Sequence, residues 1–549
     1  MKRTKIYTQF ILIASALFFG PVLSPAQTLE YLDVNNVKAG IGVGGNLFST
    51  TMPTNIWDLL ETPAGSGKKE IYTAALWMTG TDGGGNLHCA AQRYFDYGND
   101  YFDGPVASVY NSQYNNYFNR VFKVSQTQLY HFSLLHFPAQ ASLVDSAIRY
   151  WPGKGNPSVL SDYGVNIDAP LAPFVDLNNN GVYEPLLGEY PDVPGDQNIF
   201  FVFNDIRGPH AESNGQAFGV EIRGMASSFL DYNYNLASYN SPLNNTVYVQ
   251  YEIQNKSQVV YHNYNLGLFV DPDLGCFNDD FVGCDTDRAM MFVYNGTATD
   301  PDCAPEAGYG STHVALGVQM LNRPMSVFGY FTSGGVVVGG GGASETAPTY
   351  NNYLTGFWGD GSPFQVGGSG YNSGGATTKF LFPGDPTDPH GWSEAQSNDI
   401  PGDRSMFSST PPSTFSPGEI KHFDLAFTTA YNDGSDQFSI VDSLKNAADV
   451  VRRFYNEDII PGQASGVRGL SGNNAAVSIY PNPCKNTVTI EATDNIKSLD
   501  LMDIQGRILL TQPVGAKTTT LSVSNLAKGV YLVNIQCVTE DVVRRIVVE

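Results

Sequence analysis

The chain has 549 residues, with 30 Lys and Arg against 53 Asp and Glu, and a net charge of −23. So acidic a surface repels nucleic acid and anionic membranes, and no nucleic-acid partner is expected. Charged residues make up only 15%, aromatics 12%, and Gly occurs 57 times, a composition that favours strands and turns over helices.

The N-terminus opens with Lys2, Arg3 and Lys5, continues as an apolar run from Ile6 to Phe19, and is broken by Pro21 and Pro25. Ser24 and Ala26 are small residues at the −3 and −1 positions of a cut before Gln27, so residues 1–26 read as a secretory signal peptide. The run is shorter than the roughly 20 apolar residues that a membrane span needs. The mature chain is therefore expected to be exported and without a transmembrane segment. Cleavage removes three basic residues and no acid, which leaves the rest more acidic still.

Residues 27–460 read as a β-rich exported region. Strand-like runs fall at 71–80, 198–205, 246–255, 264–273, 289–296, 313–321 and 419–430, with Gly, Asn and Pro between them. A parallel sheet would need a helix between most strands, and the spacing offers none. The simplest architecture is a large antiparallel sandwich with long loops. Residues 334–377 are rich in Gly, Ser and Asn and read as a surface excursion. One helix is predicted at about 437–455, where Phe438, Ile440, Val441, Leu444, Ala447, Val450, Val451 and Phe454 share an apolar stripe.

Two acidic motifs in this region point to metal chemistry. In the first, Asp176, Asn178, Asn180 and Glu184 place oxygen side chains at positions 1, 3, 5 and 9, with Gly181 at position 6 and the carbonyl of Val182 at position 7. That alternation wraps oxygens around a calcium ion. Leu187 stands where an EF-hand has its bidentate Glu, so Glu189, Asp192 or Asp196 would have to close the shell. The competing reading is an Asx-rich turn bonded to its own backbone. In the second motif, Asp271, Asp273, Asp279, Asp280, Asp285 and Asp287 lie within 17 residues. Carboxylates so dense repel one another unless a cation, solvent or turn amides stabilise them. A second calcium is expected there, against a solvated acidic turn.

Of the six cysteines, Cys276 and Cys284 lie eight apart within this acidic stretch and are the expected disulfide. Cys89, Cys303, Cys484 and Cys537 are left open between pairing and burial as free thiols. Asp205, His210, Glu212 and Glu221 form another polar group, readable as a proton-transfer set or as hydrogen-bonded loop residues. No hydrolase, phosphate-loop or dinucleotide fingerprint occurs.

Residues 461–474 read as a linker, and 475–549 as a small β-sandwich of five to seven short strands. Its ordered motifs are Tyr480-Pro481-Asn482-Pro483, then Asp503-Ile504-Gln505-Gly506-Arg507, then Leu526-Ala527-Lys528-Gly529-Val530-Tyr531-Leu532-Val533. In that order they resemble the type A C-terminal sorting domain of type IX secretion cargo. The resemblance implies recognition by the outer-membrane translocon, removal of the domain, and often attachment of the cargo to surface lipopolysaccharide. Blocks such as KAGIGVGGNLFST, DLNNNGVYEPLLGEYPDVPGDQNIFFVFND and FPGDPTDPHGW resemble a large group of surface-exported proteins with that domain and no assigned activity. The reading that follows is a non-enzymatic surface or secreted protein with calcium-stabilised loops. It would serve adhesion or structure, or bind an extracellular glycan or protein. The alternative is a carbohydrate-active hydrolase using paired carboxylates.

Overall fold

The computed structural model describes residues 28–50, 58–94, 98–231, 241–332, 345–397, 399–432, 436–459, 477–480, 484–502, 508–538 and 541–548. The signal peptide, the linker, residues 333–344, Pro481–Pro483 and Asp503–Arg507 lie outside the described residues.

Two large antiparallel sheets build the region before the linker. The ten-stranded sheet has a spine of strands Leu29–Leu32, Lys38–Gly42, Asn46–Leu47, Lys69–Thr81, Tyr261–Pro272, Arg404–Ser409 and Val327–Thr332, in that spatial order. The nine-stranded sheet runs Asp280–Asp285, Met290–Asn295, His313–Met320, Ile420–Asn432, Thr246–Asn255, Val220–Ser228, Gln197–Asn204 and Phe102–Asp103. All seven runs predicted as strands are strands. The antiparallel arrangement follows from their short connections, since parallel partners need long crossovers.

One continuous core lies between the sheets. It joins Leu76, Met78, Leu266 and Leu268 of the first to Phe201, Ile222, Val249, Leu316 and Leu425 of the second. Phe48 meets Phe427 edge-on across the gap, ring centroids 4.9 Å apart. The strands are also covered on their outer faces, which is why their runs are nearly continuously apolar. Helix Ala347–Leu354 packs Tyr350 and Tyr353 against Trp77, itself stacked on Phe269 at 5.0 Å. Helix Ile440–Phe454 covers the second sheet with Ile440, Val441 and Leu444 against Met290, Phe292 and Tyr294. Its Asp442 lies in the first turn and Arg452 and Arg453 in the last, matching the helix dipole.

The predicted helix is therefore present, and among the described residues five other α-helices of four to eight residues join it: Ser112–Phe118, Gln126–Ser133, Ser146–Arg149, Pro157–Tyr163 and Ala347–Leu354. The first four belong to a satellite core around Tyr117, Trp151, Tyr183 and Phe200. Each begins at a residue whose side chain accepts a first-turn N–H: Asn111, Ser125, Asp145 and Asn156.

Among the described residues the C-terminal unit has five strands, Val477–Tyr480, Thr487–Met502, Ile508–Ser522, Gly529–Cys537 and Asp541–Val548, joined in one antiparallel ladder. The long strand Thr487–Met502 changes partner along one edge. It pairs with Val477–Tyr480 in its first half and Gly529–Cys537 in its second, with register breaks after Glu491 and Ile496. The ladder encloses its own core of Val488, Ile490, Leu499, Leu501, Val533, Ile535 and Ile546.

Candidate functional site

Strand Tyr261–Pro272 ends at the acidic motif, and its neighbours bring further carboxylates to the same end of the sheet. Val270 pairs with Met406, which sets Asp403 beside Asp271. Ligand oxygens of Asp271, Asp273 and Asp403 all lie within 4.8 Å of one another. Asp58 joins from the strand-pairing on the other side, where its N–H donates to Tyr72 O at 3.2 Å. Asp271 Oδ1 accepts a hydrogen bond from Ser405 Oγ at 2.7 Å.

The electrostatics are those of an anionic pocket whose carboxylates repel one another. Burial raises the Asp271 carboxyl, and the charge of Asp403 raises it further. Burial also raises Asp273, followed by the charges of Asp271, Asp58, Asp403 and Glu306. Asp58 is raised by burial and by Glu306, against a smaller opposing pull from Lys69. Its Oδ1 is buried and accepts no hydrogen bond. Hard oxygen donors, converging and short of positive charge, fit a divalent cation such as calcium.

Of the six acids in this motif, only Asp271 and Asp273 converge in that way. Asp279 Oδ2 accepts from Thr297 Oγ1 at 2.6 Å, and Asp280 Oδ2 accepts from Leu274 N at 3.2 Å. Asp285 is claimed by Arg288, whose Nη1 lies 2.8 Å away and whose Nη2 reaches Asp449 of helix Ile440–Phe454. Asp287 is exposed. Asp403, Asp58 and Glu306 come from turns far away in sequence, and only strand pairing reveals them.

The Asp176–Glu184 loop is closed on itself. Asp176 accepts from the N–H groups of Asn180 (3.3 Å) and Gly181 (2.7 Å). Asn178 Oδ1 accepts from Asn180 N, and Asn180 Oδ1 from Val182 N. Both amide nitrogens donate to Glu184 Oε2, at 3.0 and 2.7 Å. Desolvation pushes the Asp176 carboxyl up, but the N–H groups of Gly181, Asn179 and Asn180 outweigh it and hold it below its usual range. Glu189 is buried beneath the loop and accepts from Leu177 N and Glu184 N. Asp192 and Asp196 lie beyond it, and Asp196 accepts from Leu230 N.

The expected Cys276–Cys284 disulfide is corrected. Cys276 bonds to Cys303, with Cα atoms 5.3 Å apart. Strand Asp280–Asp285 is extended and carries Cys284 roughly 13 Å beyond Asp280 at about 3.3 Å per residue. There Cys284 is a buried free thiol donating to Leu381 O at 3.4 Å. Meanwhile Asp300 accepts from Cys276 N at 3.0 Å and draws the 300–303 segment to it. Cys89, Cys484 and Cys537 are buried and not disulfide-bonded.

The polar group at 205–221 divides, with Asp205 and His210 together and Glu212 and Glu221 apart. His210 is buried, with its ring nitrogens 2.6 Å from Cys89 O and Asp205 O. Glu212 faces Arg93 at 3.4 Å, and Glu221 faces Lys256 at 3.9 Å. His210 and Asp205 thus stand together, Nε2 lying 3.8 Å from Asp205 Oδ2, while Glu212 and Glu221 are each engaged by a different cation.

Residues 478–549 match the secretion system C-terminal sorting domain family. The chain carries a type IX sorting domain. That domain directs export to the cell surface or extracellular space and hands the chain to the type IX secretion machinery. Among the described residues, no helix is long and apolar enough to cross a membrane. No curated protein matches the chain. A solved polysaccharide lyase aligns at 9% identity with a TM-score of 0.17, over 60% of this chain and 34% of the lyase. The chain thus spans about a third of the lyase's length, and the overlap is too poor to assign a common fold.

Proposed function

We propose that this type IX cargo is a non-enzymatic binding or adhesion protein of the cell surface or medium, whose acidic turns are stabilised by calcium. The observation that carries the reading is the convergence of Asp271, Asp273 and Asp403 within 4.8 Å, with Asp58 close by. Paired carboxylates also serve hydrolases. Here, however, Asp271 and Asp273 are buried, Asp403 is half-buried, and the charges of the cluster raise the proton affinity of Asp271 and Asp273, as structural cation ligands do before the ion arrives. A bound divalent ion would supply the missing positive charge and cross-link strands Tyr261–Pro272 and Arg404–Ser409. In the same reading the Asp176–Glu184 loop takes a second ion, using Asp176, Asn178, Asn180 and Glu184 with the Val182 carbonyl. After the sorting domain is removed, surface lipopolysaccharide is the proposed anchor.

Calcium that binds only the native state stabilises it by RT ln(1 + [L]/Kd), about 2.7 kcal/mol at roughly 100 times Kd. The expected outcome is a clear rise in melting temperature of the exported protein with calcium. Magnesium should do much less, since it prefers a tight octahedron and keeps its waters. The double variant Asp273→Asn, Asp403→Asn should lose most of the rise, and Asp176→Ala a smaller part. If chelation leaves the wild-type melting temperature unchanged and metal analysis finds no calcium, the ion reading fails.

A further inference from the structure

A cavity of about 460 Å³ opens where the 105–109 loop, the first turn of helix Ser112–Phe118 and the 164–171 segment close over the start of strand Val220–Ser228. Its volume is in the range that holds a small ligand, about 300–1,000 Å³. We infer that this cavity is a sugar-binding subsite that grips one pyranose ring by two neighbouring hydroxyls.

At its base Glu221 is only 3% exposed, and its Oε2 accepts the Val106 N–H at 3.0 Å. Its Oε1 lies 3.9 Å from Lys256 Nζ, beyond hydrogen-bond reach. A carboxylate oxygen and an ammonium thus stand near each other without being joined. A cationic ligand would satisfy Glu221 and be repelled by Lys256, and an anionic one would meet the reverse. A neutral polyol suits both, one hydroxyl donating to Glu221 and its neighbour accepting from Lys256.

The rest of the lining agrees with that class. Exposed Asn111, Gln113 and Asn166 supply amides that both donate and accept, and Ile167 supplies apolar surface for the C–H face of a ring. The proposal rests on the reading of this protein as a surface binder and names the site and the ligand class.

The test uses the mature full-length chain and saturation-transfer NMR with glucose, galactose, mannose, N-acetylglucosamine and their disaccharides. At least one sugar should bind, and a deoxy analogue lacking one hydroxyl of the gripped pair should bind more weakly. Glu221→Gln should weaken binding by about tenfold, the worth of a hydrogen bond to a charged group. Because Glu221 also holds Val106, the exposed Asn166→Ala is the second variant. It should weaken binding without moving the melting temperature. Sugar binding left unchanged by both variants would overturn the site while leaving the binder reading intact. Absence of binding by every sugar in the panel would overturn the proposal too, and a protein array would then test the binder reading separately.

Discussion

Glu70 is fully buried and is held by hydroxyls with no cation beside it. Thr429 and Thr62 donate to Oε2 at 2.7 and 2.9 Å, and Tyr309 donates to Oε1 at 3.1 Å. Burial raises its carboxyl from 4.5 to about 7, with the three hydroxyls pulling the other way. The unfolded chain releases this proton near 4.5 and the folded chain near 7. The stability that neutral Glu70 contributes is therefore full below about 4.5 and is lost as pH rises through about 7. The loss is on the order of 3 kcal/mol. Denaturant melts at several pH values, in chelator, should show wild type losing stability over this window more steeply than Glu70→Gln. Parallel curves for the two proteins would refute it. The disulfide is also decided at the scale of single residues. Closing a loop with a sequence separation of 27 between Cys276 and Cys303 constrains the unfolded chain by about 3.5 kcal/mol in the entropic model. Cys303→Ser should cost about that much, Cys284→Ser far less, and unreduced peptide maps should link 276 to 303. Spacing in sequence favoured Cys284, because nothing local reveals that residues 280–285 are a strand leading away from Cys276. Asp271 and Asp273 were readable as part of a carboxylate cluster from their density alone. Asp403 was not, since it stands 130 residues further on and arrives only through the pairing of Val270 with Met406.

At the scale of elements, legibility followed length and apolar contrast. The run at 246–255 became strand Thr246–Asn255 residue for residue. Strand Val220–Ser228 was not singled out, although it is buried throughout, because Glu221, Arg223, Gly224 and two serines interrupt its apolar pattern. Those interruptions have causes outside the strand. Gly224 leaves room for the ring of Phe201, which a Cβ would approach to 2.2 Å, and Glu221 lines the cavity under the 105–109 loop. The short helices escaped for a different reason. At four to eight residues they show too few turns for a period, and their tyrosines and asparagines blur the apolar stripe. Only their caps were local signals. Helix Ile440–Phe454, by contrast, has four turns and a continuous buried stripe, and Leu444 lies at its centre, fully buried near Gly317. Leu444→Ala should therefore cost roughly 2–5 kcal/mol through lost burial and a cavity. The exposed Asn446→Ala on the opposite face should be close to neutral. Denaturant midpoints of the two variants measure the contrast, and equal midpoints would mean that the helix is not docked through this face.

At the scale of the whole molecule, the C-terminal unit is built to be handled apart from the rest. It has its own core of Val488, Ile490, Leu499, Leu501, Val533, Ile535 and Ile546, so its strands bury apolar surface without borrowing from the two large sheets. Its seven basic and seven acidic residues balance, while the excess of acid lies in the preceding region. Such a unit can present one recognisable surface to a translocon whatever cargo precedes it. Deleting residues 475–549 should then leave the large sheets folded but halt the protein in the periplasm. Fractionation and surface proteolysis of the producing cell should find the truncated chain inside the outer membrane and the full chain outside it. Circular dichroism of the purified truncated chain guards against a trivial outcome, since a misfolded cargo would also be retained. Fusing 461–549 to a periplasmic reporter makes the converse case. The reporter should reach the surface in a cell with the secretion system and stay periplasmic in one without it. A truncated chain that still reached the surface in normal amounts would mean that export is read from the larger region, and that the balanced, self-contained C-terminal unit serves some other end.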